Sequence, residues 1–288
     1  MSRVNYELNK PIFIIGAARS GTTMLGEIME NHPDLAYWLE PKYIWKYGNP
    51  NTKSDVRYGN EVTPDIRNYI VNKFGKHLKK NRKKRFLDKT PSNTFRVGFI
   101  HKIFPDAMFV NIIRNGNDVT LSAEKKWTSP PDQTALWRRL TSNEIPLKDL
   151  FYYGSAFIRD VVARTFFPSK GYIWGPSYPG MSEYRKKHSI LESCAMQWKE
   201  SLRYSSSDFI KIPQKQKYTV RYEELIETPS VAISNILDFL ELEHYDLPDI
   251  ANKHVVKTRK ENYSESEIKK LGIINPIIKE MQKTLGYE

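Results

Sequence analysis

The chain has 288 residues, 40% of them hydrophobic, enough for one large core or two modest ones and too apolar for a disordered chain. Its 45 basic and 33 acidic residues leave a formal charge of +12, which calls for an anionic partner such as a nucleotide, a nucleic acid, a membrane surface or an acidic glycan. Cys194 is the sole cysteine, so an intrachain disulfide framework is excluded and a reducing compartment fits best.

The first ten residues are polar, and the apolar run at 11–15 is far shorter than a signal-peptide core or a spanning helix. The expectation is therefore a chain without an integral membrane segment, cytoplasmic or the soluble catalytic domain of a longer protein. Residues 11–16, PIFIIG, read as a buried strand stopped by glycine, with a helix following from about Gly21 to Asn31. Residues 64–80 place Ile66, Ile70, Phe74 and Leu78 four apart, which predicts an amphipathic helix with Thr63 as its cap and Pro64 at its first position. A second helical period covers 94–104. After the Pro105-Asp106 turn, AMFVNII at 107–113 is another strand-length apolar run. Arg114-Asn115-Gly116 turns the chain into a helix running to Trp127. YTVRYEEL at 218–225 is a third strand candidate, between helical patterns at 189–204 and 229–241. Strands alternating with helices predict an α/β fold, a central parallel sheet flanked by helices, as a single domain over 1–288.

The stretch 128–190 breaks this rhythm, being rich in Pro, Gly, Ser and aromatics, with a helical pattern at 149–167 and its most irregular part at 168–180. It reads either as an insertion carrying acceptor contacts or as a variable surface excursion. Between Lys73 and Lys89 stand nine basic residues and one acid, a run that a nucleic-acid-binding module would carry. A solvated helix face carries the same pattern and no recognition motif accompanies it, so nucleic acid is not the expected partner.

Residues 16–23, Gly-Ala-Ala-Arg-Ser-Gly-Thr-Thr, form a glycine-bracketed loop between a strand and a helix. Backbone N–H groups of such loops converge on an anion, and the positive end of the helix dipole adds to the attraction. Gly16, Ala17, Ala18, Arg19, Ser20, Gly21, Thr22 and Thr23 are thus the candidate phosphate cradle. The spacing matches the nucleotide-binding G-x-x-x-x-G-K-[ST] pattern, except that Thr22 holds the lysine position. A nucleoside triphosphatase needs that lysine, with magnesium, on its β- and γ-phosphates. A P-loop kinase is therefore the alternative rather than the first choice. A donor with one 5′-phosphate and a sulfo group carries less charge, and backbone donors plus Arg19 suffice for it without a metal.

PIFIIGAARSGTTML resembles the 5′-phosphosulfate-binding segment of the sulfotransferase family. FVNIIRNGNDVTLSAEKKW at 109–127 is similar to that family's 3′-phosphate-binding segment, in which an arginine ends a strand and a serine follows eight residues later; Arg114 and Ser122 occupy those places. An arginine there offers a forked donor to a phosphate, and the serine adds a hydroxyl. The resemblance implies 3′-phosphoadenosine 5′-phosphosulfate as donor, adenosine 3′,5′-bisphosphate as product, no metal, and an acceptor hydroxyl, with the aromatic-rich insertion and the positive charge favouring a saccharide. It extends to YTVRYEELIETP at 218–229, bringing Tyr222 toward the nucleotide. It also reaches the basic stretch 253–260, whose Lys257, Arg259 and Lys260 it implies at the 3′-phosphate.

Sulfo transfer needs a base and a cation. Glu40, in AYWLEPKYIW, lies 21 residues after Arg19, an arrangement that resembles the tyrosylprotein branch, where a loop arginine and a glutamate act together. Tyr37, Trp38, Tyr43 and Trp45 are expected to desolvate that carboxylate. Lys89, in FLDKTPSN, is the second cation, expected at a strand end facing the same cleft. His32, after the first helix, and His101, on a helical pattern, are the histidine alternatives for the base.

Overall fold

A computed structural model describes residue 6 and residues 8–129, 173–255 and 263–287. Five strands form one parallel sheet: β1 (Ile12–Ile15), β2 (Leu35–Leu39), β3 (Arg85–Lys89), β4 (Met108–Ile113) and β5 (Lys217–Arg221), in the spatial order β2-β3-β1-β4-β5. β1 is central, and every one of its side chains is buried. Ile12 and Ile14 point into one apolar cluster, Phe13 and Ile15 into another, as a strand covered on both faces requires.

Helices α1 (Thr22–Glu30), α9 (Pro229–Leu240) and α10 (Leu247–His254) cover the Ile12/Ile14 face. The opposite face takes α2 (Lys42–Trp45), α3 (Pro64–Lys80), α4 (Val97–Ile103) and the end of α7 (Ile190–Phe209), packed on a nest of aromatic rings around Phe13. α5 (Gly116–Thr128) lies against α7 and the long C-terminal α11 (Glu265–Thr284); α6 (Met181–Lys187) and α8 (Tyr222–Glu227) complete the described elements.

This topology positions the site. The chain leaves β1 through α1 toward β2 on one side of the sheet, and leaves β4 through α5 toward β5 on the other. Neighbouring parallel strands whose outgoing helices part to opposite faces open a crevice at their carboxyl ends, and ligands of open α/β sheets bind there. The loops at 16–21 and 114–115 frame that crevice.

Local chemistry explains several boundaries. Thr63 Oγ1 accepts from the Ile66 N–H and Pro64 stands at the first position of α3, as the sequence predicts. The 94–104 pattern resolves into a 3₁₀ turn at Pro91–Phe95 followed by α4. The strand expected over 218–225 stops at Arg221: Glu224 reaches back to the Arg221 N–H, and Tyr222 opens α8. β2 and α11 have no counterpart in the sequence reading, and the helix expected over 189–204 runs on to Phe209. Within 128–190, the helical pattern at 149–167 lies outside the described residues. Among the described residues, no helix is long and apolar enough to cross a membrane.

Candidate active site

Five strand ends deliver five groups to one edge of the sheet. In spatial order these are Glu40 after β2, Lys89 closing β3, the 16–21 loop after β1, Arg114 after β4, and Tyr222 after β5. With strands about 4.8 Å apart, the row from β2 to β4 spans about 14 Å, the scale of a nucleotide laid across the crevice.

The loop at the centre is built for close approach. Gly21 adopts φ 93 as the cap of α1, and a Cβ there would lie 2.5 Å from the Tyr222 ring. At Gly16 a Cβ would meet the Ile112 carbonyl oxygen at 2.7 Å, so any side chain would push the loop off β4. Arg19 also takes the left-handed region, at φ 74, an uncommon conformation for a residue with a Cβ. Ala17 and Ser20 are tied by a backbone bond from the Ser20 N–H to the Ala17 carbonyl, and Ala17, Ala18, Ser20 and Thr22 are buried, leaving Arg19 and Thr23 as the outward side chains.

Those two residues face different partners. Arg19 Nε donates to Ser122 Oγ at 3.1 Å, and Arg114 Nη1 donates to the Arg19 carbonyl oxygen at 3.1 Å. The Arg114 guanidinium carbon lies over the Tyr222 ring, 3.9 Å from its centroid, and the buried Nε has no hydrogen-bond partner among the described residues. Burial, and then the neighbouring Arg114 charge, lower the proton affinity of Arg19. Two guanidiniums, a hydroxyl and an unused buried N–H gathered at one strand end form a site short of an anion.

On the other side, Lys89 Nζ bridges Thr23 Oγ1 and Glu40 Oε1, each at 2.9 Å, with only 1% of its side chain exposed. Lys42 Nζ approaches Glu40 Oε2 at 3.0 Å, so two ammonium groups orient the carboxylate. Glu40 stands at φ 54, its N–H donating to the Lys89 carbonyl. Of the aromatic residues expected to shield it, Trp38 and Trp45 turn into the core instead, and Tyr37 packs with the α1 cluster. Arg19 and Glu40 stand in two separate clusters: Arg19 with Arg114 and Ser122, and Glu40 and Thr23 joined through Lys89, with Lys42 on Glu40. Lys42, two residues after Glu40 at the start of α2, is the partner that the alternative reading of Glu40, a paired surface carboxylate, gives it.

Beneath the second cluster, Asp88 is fully buried and accepts from Trp45 Nε1, Thr90 Oγ1 and Asn93 Nδ2. These bonds fasten α2 and the Thr90–Asn93 turn to β3, and so brace Lys89. Burial pushes the Asp88 carboxyl up to about 6, outweighing the donors that favour its anion. A carboxyl raised in the folded state binds more protons folded than unfolded, so its contribution to stability is present below about pH 4 and is lost as pH rises through 6. Relative to Asp88→Asn, the wild type should lose unfolding free energy between pH 4 and pH 7, read from urea titrations at both; a constant difference would contradict this.

The histidines stand apart from the row. His32 follows α1, whose nine residues carry it about 14 Å from the loop. It is fully buried, with Nε2 donating to the Glu243 carbonyl and Nδ1 accepting the Asp34 N–H, so both nitrogens are occupied. His101 sits in α4, its Nε2 on Gln216 Oε1. Lys257, Arg259 and Lys260 lie outside the described residues. No group of three or more metal-ligating side chains converges among the described residues.

The C-terminal helix contributes contacts that the sequence reading did not assign. Gln282, buried, accepts the Gly116 N–H at the start of α5, Lys270 pairs with Glu124, and Tyr287 donates to Glu223. The Ser264/Glu267 capping box and the Leu271, Ile274, Ile278 spacing were its available signals.

Comparison with known proteins places these features in a context. Residues 11–145, which span both loops, match the model of the sulfotransferase family. Over 145 residues the chain is 25% identical to nodulation protein NoeE of Sinorhizobium fredii, a match covering 45% of this chain and 35% of that protein. An uncharacterized protein of Aquifex aeolicus is 27% identical over 128 residues, covering 39% of this chain and 16% of that protein. The chain therefore matches well under half the length of these curated relatives. Among solved structures, the sulfotransferase domain from the curacin biosynthetic pathway superposes with a TM-score of 0.51 at 12% identity, covering 96% of this chain and 98% of that one. Sulfotransferase STF9 from Mycobacterium avium gives 0.53 at 12% identity, covering 96% and 77% respectively. At such identities the structural likeness is one of fold: the parallel sheet with its flanking helices is that of sulfotransferases. The family match thus covers residues 11–145, just under half of the chain, and the structures add a shared fold.

Proposed function

We propose that this chain transfers the sulfo group of 3′-phosphoadenosine 5′-phosphosulfate to an acceptor hydroxyl, probing the acceptor with the Glu40–Lys89 cluster and the donor with the two loops of the crevice. The single observation that carries the reading is the Arg114–Arg19–Ser122 group: it lies beside the backbone-lined loop, so one doubly anionic ligand reaches both. The 5′-phosphosulfate lies on residues 16–23 and the 3′-phosphate on Arg114 and Ser122, with Tyr222 beneath Arg114. Lys257, Arg259 and Lys260 are assigned to the same 3′-phosphate by resemblance alone.

The chemistry is an in-line displacement at sulfur. The acceptor oxygen forms a new S–O bond, the bond from sulfur to the 5′-phosphate oxygen breaks, and its electron pair leaves with adenosine 3′,5′-bisphosphate. The acceptor proton passes to a Glu40 carboxylate oxygen. Lys89, anchored by Thr23, supplies positive charge where the leaving oxygen becomes negative. A P-loop kinase is disfavoured by Thr22 at the lysine position and by Lys89, rather than a loop lysine, serving as the nearest ammonium to the loop.

For the acceptor we favour a saccharide bearing anionic groups. A cavity of about 510 Å³ between residues 53–54 and 177–186 is lined by Lys53, Arg185, Lys186, Ser54 and Ser177, with Glu183 as its one acid. Its residues 177–186 belong to the stretch expected to carry acceptor contacts, and none of the Glu40–Lys89 cluster lines it. A screen of labelled donor against saccharides, phenols and peptides tests this; exclusive transfer to a phenol would defeat it.

Arg114→Ala is expected to weaken binding of adenosine 3′,5′-bisphosphate by roughly 30-fold or more, the loss that follows when a charged partner of a half-buried phosphate is removed. Isothermal calorimetry reads it directly. Unchanged affinity would move the 3′-phosphate elsewhere.

A further inference from the structure

Asp118 poses a puzzle in the site as described. It lies one turn past Arg114 on α5, a carboxylate placed beside a group assigned to a phosphate. Its Oδ2 stands 3.9 Å from Arg114 Nη2, too far for a hydrogen bond yet close enough to form one by a small side-chain rotation. Its other oxygen, Oδ1, accepts the Tyr263 O–H at 2.9 Å. Tyr263 precedes Ser264, the cap of α11, and that helix is pinned to α5 by the Lys270–Glu124 pair at 2.7 Å and by Gln282 on the Gly116 N–H at 2.8 Å. The phenol is therefore held at a fixed point relative to α5. Burial, and then the bond to Asp118, push its proton affinity up, so it remains a donor.

Resting on the donor reading above, we propose that Tyr263 is a positioning residue that holds the Asp118 carboxylate off Arg114 and so keeps the guanidinium available to a 3′-phosphate. Released from Tyr263, Asp118 closes onto Arg114 Nη2 as an internal competitor, since it lies in the first turn of α5, four residues after Arg114 and 3.9 Å from its guanidinium, and carries the opposite charge. The buried Nε of Arg114, without a hydrogen-bond partner among the described residues, is the mark of the restrained state: the guanidinium lies over Tyr222 and is bonded through Nη1 to the Arg19 carbonyl, with donor capacity left over.

The test is calorimetric binding of adenosine 3′,5′-bisphosphate and of adenosine 5′-phosphate to the full chain and three variants. Tyr263→Phe should lose about tenfold in affinity for the bisphosphate, one charge-assisted contact's worth, and keep its affinity for the 5′-phosphate. Asp118→Asn should bind the bisphosphate at least as well as the wild type. The double variant should match Asp118→Asn, because the amide no longer competes; a purely structural role for Tyr263 would leave the double variant as weak as Tyr263→Phe. Unchanged affinity in Tyr263→Phe, or no recovery in the double variant, overturns the inference while leaving the donor site standing. A wild type that binds the 5′-phosphate no less tightly than the bisphosphate, or neither ligand, removes the 3′-phosphate site itself and the inference with it.

Discussion

Glu40→Gln is expected to cut turnover by roughly 10²–10⁴-fold, the range typical of a general base, while adenosine 3′,5′-bisphosphate binds as before. The amide keeps the size of the carboxyl group and an oxygen that accepts from Lys89 Nζ, now 2.9 Å from Glu40 Oε1. What it loses is the ability to take a proton. Since Glu40 lies past β2, at the opposite end of the row from Arg114, the substitution leaves the donor clamp untouched. Steady-state kinetics at saturating donor give the first number and calorimetry the second. Full activity in the variant would remove Glu40 from the mechanism, and lost nucleotide binding would make it a donor ligand instead.

Lys89→Met should be nearly as damaging, lowering turnover by about 10²–10³-fold, the loss seen when one fixed donor to a developing negative charge is removed. Methionine suits a side chain that is 1% exposed, because its length and apolar body fill the same channel through the core. The fold is thus expected to survive while the ammonium between Thr23 and Glu40 disappears. Because Lys89 and Glu40 touch, their effects are not independent: the double variant should be little worse than the weaker single one. Retained turnover with a raised donor KM would assign Lys89 to donor binding alone.

How much of this could be read from sequence depended on how strongly burial marks a segment. β1 and β4 are continuous apolar runs because both faces of each are covered, and both end in turn residues, so strand, loop and following helix were legible together. β3 is also interior, yet it reads RFLDK. Its Asp88 and Lys89 are buried for the site rather than for the core, so its short apolar stretch pointed to a strand end at Lys89 but not to the strand's bounds. β2 is an edge strand of five residues following closely on α1, with Tyr37 and Leu39 only partly buried.

For the site, the two motif arginines and Lys89 were readable because each was expected after a strand, and Glu40 because its 21-residue spacing from Arg19 resembles a known arrangement. The partner of Arg19 was not. Spacing along the chain says nothing about which way a loop side chain leaves, and the left-handed backbone at Arg19 accompanies a side chain directed to Ser122 rather than toward Glu40. Tyr263 and Gln282 were invisible for a different reason. They act on α5 from 145 and 166 residues away, across a helix that the sequence reading had not assigned.

The most direct measurement is a crystal structure of the chain with adenosine 3′,5′-bisphosphate. The 5′-phosphate is expected against the backbone N–H groups of residues 16–23, and the 3′-phosphate within hydrogen-bond distance of Arg114 and Ser122. A nucleotide bound away from both loops, with Arg114 still on the Arg19 carbonyl and Tyr222, would contradict the donor site and the mechanism built on it.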